Sequence, residues 1–343
     1  MRFPWGWLGR DLAVDLGTAN TLVYVRRKGV VVDEPSVVAI NLHTDRIVAV
    51  GTAAKEMIGR TPPHIVTLRP LKDGVIADLD AAERMLRHFI QLAHRSRYLA
   101  KPRVVVAVPS GTTSVEQRAV REAAYEAGAR RVHIIEEPMA AAIGAGLNVG
   151  DTTGNMVVDV GGGTTEVAIV SLGGVVVSKS VRVGGDELDE AIVNYVKKEH
   201  SLLLGERTAE HIKITMGTVR PGDGDASTPI RGRDLVTGLP KTATITKAEV
   251  REAIEDQVQT IVDAVQTTLD QCPAELAGDL LDNGIVLTGG GALLDGLADR
   301  LGEAIGMPIH LVDRPLHSVV LGAGRCVEDF EAMQDVFLPE NRR

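Results

Sequence analysis

Two cysteines, Cys272 and Cys326, are all that the 343 residues contain. They are too few and too far apart for a disulfide framework or a zinc site, and a reducing cytoplasm suits such a chain. The nine histidines include no His-Glu-x-x-His or other ligand-spaced pair, so nothing points to a structural transition metal. No apolar run reaches the roughly 18 to 20 residues that a membrane-spanning helix needs. At the N-terminus Arg2 precedes apolar residues, but Pro4, Gly6 and Gly9 interrupt them and no small-residue cleavage site follows, which argues against a secretory signal. Acidic residues outnumber basic ones, 46 to 37. The formal net charge of −9 argues against a nucleic-acid binder, because neutralising phosphates needs a basic surface.

What remains is ordinary for a soluble globular protein: 44% hydrophobic and 24% charged residues. The length exceeds what one compact core usually holds, so two large lobes are expected. An internal repeat supports this. Val14-Asp15-Leu16-Gly17-Thr18, followed by Thr21-Leu22-Val23-Tyr24-Val25, resembles Val158-Asp159-Val160-Gly161-Gly162-Gly163-Thr164, followed by Val167-Ala168-Ile169-Val170. Each copy reads as a β-hairpin: an apolar strand ending in Asp, a Gly/Thr tip and a β-rich return strand. Glycine at the tips lets backbone N–H groups approach an anion closely. Val104–Val108 reads as a buried strand ending at Pro109-Ser110. Helical spacing spans Ala81–Ala93 and Ser114–Ala127, the second closing at Gly128, and helices are also expected over Asp186–His200 and Lys247–Leu269. Strands alternating with helices argue for α/β layers with a largely parallel or mixed sheet. The stretch Arg220–Pro240, rich in Gly, Pro, Asp and Thr, reads as loops with one short strand. A third glycine turn, Thr288-Gly289-Gly290-Gly291-Ala292, follows the strand Ile285–Leu287 and precedes a predicted helix, an arrangement suited to an anion or nucleotide.

The chain has no Gly-x-x-x-x-Gly-Lys-[Ser/Thr] segment and no complete Gly-x-Gly-x-x-Gly, so neither a Walker cradle nor a Rossmann site is present. Two Asp-x-Gly hairpins in related lobes with a late Thr-Gly-Gly-Gly turn resemble the superfamily of actins, Hsp70 ATPase domains and sugar or acetate kinases. Within it the chain resembles the MreB/Mbl family of bacterial actin-like proteins from Asp11 to about Gly324. The similarity rests on Asp15–Tyr24, Asp33-Glu-Pro-Ser36, Arg69-Pro70 through Asp73–Asp78, Val108-Pro-Ser110 and Glu136-Glu-Pro-Met-Ala-Ala-Ala-Ile-Gly144. Val158–Val167, Gly184-Gly-Asp186, Gly205–Glu210, Arg233-Asp234 and Leu287–Gly291 complete it.

That resemblance implies an actin-like ATPase fold whose two lobes close on ATP. Gly17, Thr18, Ala19 and Asn20 would meet the phosphates from one lobe, and Gly161, Gly162, Gly163 and Thr164 from the other. Direct contact would set Asp15 and Asp159 against phosphate charge, so they make sense through Mg2+ and water; the blander alternative is strand-end capping. Glu137, before Pro138, matches the water-positioning residue, with Thr164 sharing the water or the γ-phosphate. Taken alone, Glu137 would be a helix N-terminal acid, and Glu136 is its neighbour. Glu210 and Lys213, at i and i+3 on one helix face, resemble the pair beside adenine and ribose, and Gly289, Gly290, Gly291 and Ala292 would cover the nucleotide. The first hairpin lacks the phosphate-binding lysine of some relatives, which suggests slow turnover.

The resemblance also implies the subdomains: 11–38, 72–151 and 321–343 as the core of the first lobe with 39–71 as its small subdomain, and 152–186 and 249–320 as the core of the second with 187–248 inserted. It implies a slow ATPase coupled to polymerisation into filaments, whose partners would be a second antiparallel protofilament, the inner face of the cytoplasmic membrane and proteins like MreC, MreD and RodZ. The role would be to organise lateral cell-wall synthesis. Both tryptophans of a chain with 3% aromatics sit at the extreme N-terminus. Phe3, Trp5, Trp7 and Leu8 between Arg2 and Arg10 suit an anionic membrane boundary, the alternatives being a tail packed on the protein or left disordered. Tyr98 and Leu99 fall where the family carries a small apolar membrane loop. A sugar or acetate kinase would need an acceptor pocket and base that no residues here supply recognisably. An Hsp70-like chaperone would need a peptide-binding domain after the ATPase, yet the chain ends at Arg343. A plasmid-segregating or division actin would differ in filament form and membrane contact.

Overall fold

The computed structural model describes residues 10–93, 102–222 and 226–339. The chain opens with the first predicted hairpin, β1 (Leu12–Leu16) and β2 (Asn20–Val25), paired antiparallel, and β3 (Gly29–Pro35) extends the meander. β4 (Val38–Asn41), β5 (Arg46–Val50) and β6 (Ile65–Leu68) form a separate three-stranded sheet beside the short helix α1 (Thr52–Met57). A two-stranded turn, β7 (Leu71–Lys72) and β8 (Val75–Ile76), leads into α2 (Leu79–Ala93), β9 (Arg103–Val108), α3 (Ser114–Glu126), β10 (Arg131–Glu136) and α4 (Glu137–Ala145). The start of α3 is fixed by a capping box in which Thr113 and Glu116 satisfy each other's backbone N–H groups.

The second lobe repeats the plan. β11 (Asn155–Val160), β12 (Thr165–Ser171) and β13 (Gly174–Val181) form the meander, and α5 (Gly185–Glu199) follows. Then come β14 (Leu202–Leu203), α6 (Glu206–Met216), β15 (Ser227–Asp234) and β16 (Pro240–Thr246), whose strands make a second small sheet. The chain continues through α7 (Lys247–Asp270), α8 (Ala274–Asn283), β17 (Ile285–Thr288), α9 (Leu297–Ile305), β18 (Ile309–Leu311) and α10 (Ser318–Glu328). The two large sheets have matching orders, β3-β2-β1-β9-β10 and β13-β12-β11-β17-β18. In both, the meander pairs antiparallel and the remaining strands pair parallel to its first strand. The repeat visible in two hairpins therefore extends to both sheets.

Strand alternation sets the layers. Leu12, Val14, Val104 and Val106 face outward into a core with Met85 and Phe89 of α2 and Val120 of α3. Val158 and Val160 face the opposite outer core, with Ile192 of α5 and Ile254 and Val258 of α7. The inner faces, carrying Ala13 and Val105 on one side and Val157 and Val170 on the other, meet in a third core built on α4 and α10. These two helices cross backbone to backbone. A Cβ on Gly144 would lie 1.8 Å from the Ser318 carbonyl oxygen, and one on Gly322 would lie 1.8 Å from that of Ala140. Each glycine thus meets the residue four before the other, a pseudo-symmetric contact that a single methyl group would push apart.

Two expectations need correction. The segment Arg220–Pro240 contains the eight-residue strand β15, paired along its length with β16, rather than one short strand among loops. Its Gly, Pro and Asp content misled because pairing across the hairpin outweighs local propensity. The glycine triplet after β17 leads into a one-turn 3-10 helix, Gly290–Leu293, and α9 begins only at Leu297. That turn does not present the N-terminus of an α-helix.

Candidate functional site

The two hairpin tips point at each other across the gap between the lobes. A Cβ on Gly162 would stand 2.5 Å from Ala19 Cβ, and one on Gly163 would stand 2.9 Å from Thr18 Oγ1. Only residues without a side chain permit this approach. Ser36 holds the first tip: its Oγ donates to the Gly17 carbonyl at 2.6 Å and its N–H to the Ala19 carbonyl at 2.9 Å. The first turn of α5 holds the second, where Gly185 N–H donates to Gly161 O at 3.0 Å and Asp186 N–H to Gly162 O at 2.7 Å. In a trans peptide the N–H points opposite its carbonyl, so tying back the Gly17, Gly161 and Gly162 carbonyls turns the N–H groups of Thr18, Gly162 and Gly163 the other way.

A cavity of about 520 Å³ lies at these tips, within the size range of small-molecule sites. Its lining includes Asp15, Gly17, Thr18, Ala19 and Asn20 from the first lobe, with Glu137. From the second lobe come Asp159, Gly161, Gly162, Gly163, Thr164, Glu210, Lys213, Gly289, Gly290 and Gly291. Ala292 stands apart: it is buried in the outer core of the second lobe. Sequence reading missed Gly74, Asp186, Pro315 and the apolar Ile214, Leu293 and Leu316, which also line the cavity. Gly74 and Asp186 lie within motifs of the family resemblance; the apolar residues carry no local signal at all. Phe3, Trp5, Trp7, Leu8, Tyr98 and Leu99 lie outside the described residues.

The floor of the cavity is crowded with acids. Burial, reinforced by the negative charge of Asp33, pushes the Asp15 carboxyl up to about 7. Burial, with Asp15 and Glu166 nearby, pushes Asp159 up to about 8. Glu137 is raised well above the usual carboxylate range, first by burial and then by Glu166, Asp15 and Asp159. Glu137 is the first residue of α4, with Pro138 behind it, and it opens onto the cavity. Glu136 ends β10, lies outside the cavity lining, and is raised by burial alone. Such a cluster strongly favours a cation or protons. The donors are all carboxylate oxygens, which suit a hard divalent ion. Among the described residues no three His, Cys, Asp or Glu side chains converge into a complete metal cage. Asp15 and Asp159 are the carboxylates that would face such an ion.

Side chains of α1 and of the segment after β6 reach across to α6. Lys55 Nζ of α1 donates to Glu210 Oε1 of α6 at 2.7 Å. Arg69 Nε donates to Glu206 Oε1 at 3.1 Å, and Arg207 Nη1 to the Glu56 carbonyl at 3.2 Å. Lys213 turns inward, donating to Gly185 O at 2.7 Å and Asp189 Oδ2 at 2.9 Å.

Two related lobes of matching sheet order, closing tip to tip on an acidic cavity, define the class: an actin-like fold. Solved relatives agree. Crystal structures of MreB 5 of Spiroplasma citri bound to AMPPNP and to ADP superpose with TM-scores of 0.89 and 0.88 at 38% identity, covering 94% and 95% of this chain and 97% of those chains. A MamK double helical filament superposes with a TM-score of 0.78, over 93% of this chain and 99% of that one, at 24% identity, which speaks for the fold alone. The family description "MreB/Mbl protein" matches residues 9–335. The cell shape-determining protein MreB of Escherichia coli K12 is 52% identical over 330 residues, covering 94% of each chain. The cell shape-determining protein Mbl of Bacillus subtilis strain 168 is 47% identical over 324 residues, covering 94% of this chain and 97% of that protein. The chain belongs to the MreB/Mbl family.

Proposed function

We infer that this protein is an ATP-dependent cytoskeletal filament subunit that determines cell shape, works on the inner face of the cytoplasmic membrane and organises lateral cell-wall synthesis. The observation that carries the ATP site is the meeting of the two hairpin tips over paired carboxylates at the cavity floor. Filament and membrane roles rest on the family. A nucleotide would be gripped by the N–H groups of both tips and by the Thr18 and Thr164 hydroxyls. Asp15 and Asp159 would hold Mg2+ through water, and Mg2+ when bound supplies positive charge against the phosphates. Glu137 would orient the attacking water, accepting a hydrogen bond from it, with Thr164 on the far side. Phosphoryl transfer depends mainly on such positioning. Glu210 and Lys213 would flank the ribose and adenine once Glu210 leaves Lys55, and Leu293 and Leu316 offer apolar surface to the base.

Head-to-tail contacts that do not close give filaments, and paired antiparallel protofilaments are the arrangement proposed here. Partners of the MreC, MreD and RodZ type would dock on them. The test is sedimentation and electron microscopy of purified protein with Mg-ATP, with and without anionic liposomes. Nucleotide-dependent filaments are expected; monomers in every nucleotide state, on lipid and off it, would overturn the reading.

A further inference from the structure

Glu166 takes no part in the scheme above, yet it is the most enclosed acid near the site, 1% exposed. It stands on β12 directly across from Asp159 and does not line the cavity. Both of its oxygens are engaged. Oε1 accepts from Ser180 Oγ of β13 at 2.5 Å, and Oε2 accepts from the Ser110 backbone N–H at 3.0 Å. Ser180 belongs to the same sheet. Ser110 belongs to the other lobe, two residues beyond the end of β9. This hydrogen bond therefore crosses between lobes beneath the cavity.

The segment it grips has a particular neighbour. β9 and β10 run parallel with Val108 beside Glu136, so the chain leaving β9 as Pro109-Ser110 runs next to the chain leaving β10 as Glu137-Pro138. Gly74 braces the same turn from another side: a Cβ there would lie 2.8 Å from Pro109 Cγ and 3.1 Å from Thr164 Cγ2. Gly74 N–H in turn donates to Thr18 Oγ1 at 3.1 Å. The Pro109-Ser110 turn thus sits among Glu137, Thr164 and the first hairpin tip, and a buried carboxylate fastens it to the second lobe. A buried acid is costly to retain, and an apolar residue would pack this strand more cheaply.

We propose that Glu166 is a positioning residue for ATP hydrolysis: by tying Ser110 to β12 and β13 it sets the separation between Glu137 on the first lobe and Thr164 on the second. The proposal rests on hydrolysis occurring at this cavity. Glu166→Ala removes the tether. Glu166→Gln preserves it, because the amide oxygen can accept from Ser110 N–H while the amide nitrogen donates to the Ser180 hydroxyl.

The experiment measures phosphate release, the ATP dissociation constant and amide exchange of the peptide containing Ser110 in full-length protein, with Glu137→Ala alongside. Glu166→Ala is expected to lower kcat about tenfold or more, the scale of a small misplacement of reacting groups. Its ATP affinity should stay within about twofold, since no nucleotide contact is lost. Its Ser110 amide should exchange faster, and Glu166→Gln should restore both rate and protection. If Glu166→Ala does not fold, Glu166→Asp, too short to span both serines, takes its place. Wild-type turnover in the untethered variant, or a Glu166→Gln variant as slow as Glu166→Ala, overturns the proposal. An unaffected Glu137→Ala would instead sink hydrolysis at this cavity.

Discussion

Asp15, Asp159 and Glu137 share one buried floor, and the burial of their carboxyls, reinforced by neighbouring acids, gives the protein a pH dependence that bound cation should cancel. With Asp15 raised to about 7 and Asp159 to about 8, the folded metal-free chain retains protons that the unfolded chain releases near the ordinary carboxylate range. Stability from these groups is therefore fully present below that range and is lost as pH rises through the raised values. Metal-free protein should melt at a lower temperature near pH 8.5 than near pH 6, and added Mg-ATP should raise the melting temperature more at the higher pH. Asp159→Asn should flatten the metal-free profile and weaken Mg2+-dependent nucleotide binding; a melting temperature that climbs over this range without metal would contradict the account. For Glu137→Ala, loss of a water-positioning group predicts phosphate release slowed by roughly 10²-fold with nucleotide affinity nearly unchanged, and longer-lived filaments. Unaltered phosphate release would return Glu137 to a helix-terminal role. The place of Glu137 at a helix start was legible because a Glu-Pro pair marks that start inside a recognisable motif. Glu166 was not, since its meaning depends on Ser110, 56 residues away, and only the folded sheets bring the two together.

Between elements, charges on α1 and just after β6 pair with α6 and join the two lobes beside Glu210, which lines the cavity. Arg69 and Glu206 do not line the cavity, so their pairing can be altered without touching a nucleotide contact. A partly exposed ion pair contributes up to about 1 kcal/mol, or roughly fivefold in a rate. Arg69→Glu should speed release of a fluorescent nucleotide by up to about that factor, and combining it with Glu206→Arg should recover most of the loss. The same release should quicken with salt, because the Debye length shrinks to a few ångströms. Equal rates in the single and double variants would remove this contact from the gate. The pairing was not readable in the sequence: Arg69 and Glu206 lie within motifs of the family resemblance, but nothing local says that they, or Lys55 and Glu210, meet across the lobes. The elements themselves were far more legible. The hairpins, the Val104–Val108 strand and the helices at Ala81–Ala93, Ser114–Ala127 and Lys247–Leu269 emerged near their observed limits because periodicity and caps act locally. The β15–β16 pair escaped detection because its partners, not its residues, stabilise it.

At the scale of the whole molecule, the lobes are joined through the α4–α10 crossing, and a repeating assembly would multiply whatever weak contacts each subunit makes. Binding to lipid is where this matters most. Trp5 and Trp7, with Phe3 and Leu8 between Arg2 and Arg10, form a short segment whose apolar side chains each contribute roughly 1.5 to 3 kcal/mol at best when fully buried. Residues Arg95–Lys101, with Tyr98 and Leu99, add a second short segment. Among the described residues no helix is long and apolar enough to cross a membrane. One subunit should hold a bilayer weakly, whereas a filament presents many copies at high effective concentration. Deleting residues 2–9 is therefore predicted to reduce co-sedimentation with anionic liposomes, most sharply under conditions that support filaments, while ATP binding stays intact because the cavity lies on other elements. Raising the salt concentration should weaken the full-length protein's attachment by screening Arg2 and Arg10 from anionic headgroups. Equal sedimentation of truncated and full-length chains would remove the N-terminal segment as the anchor and leave the second segment to be tested by Tyr98→Ser and Leu99→Ser.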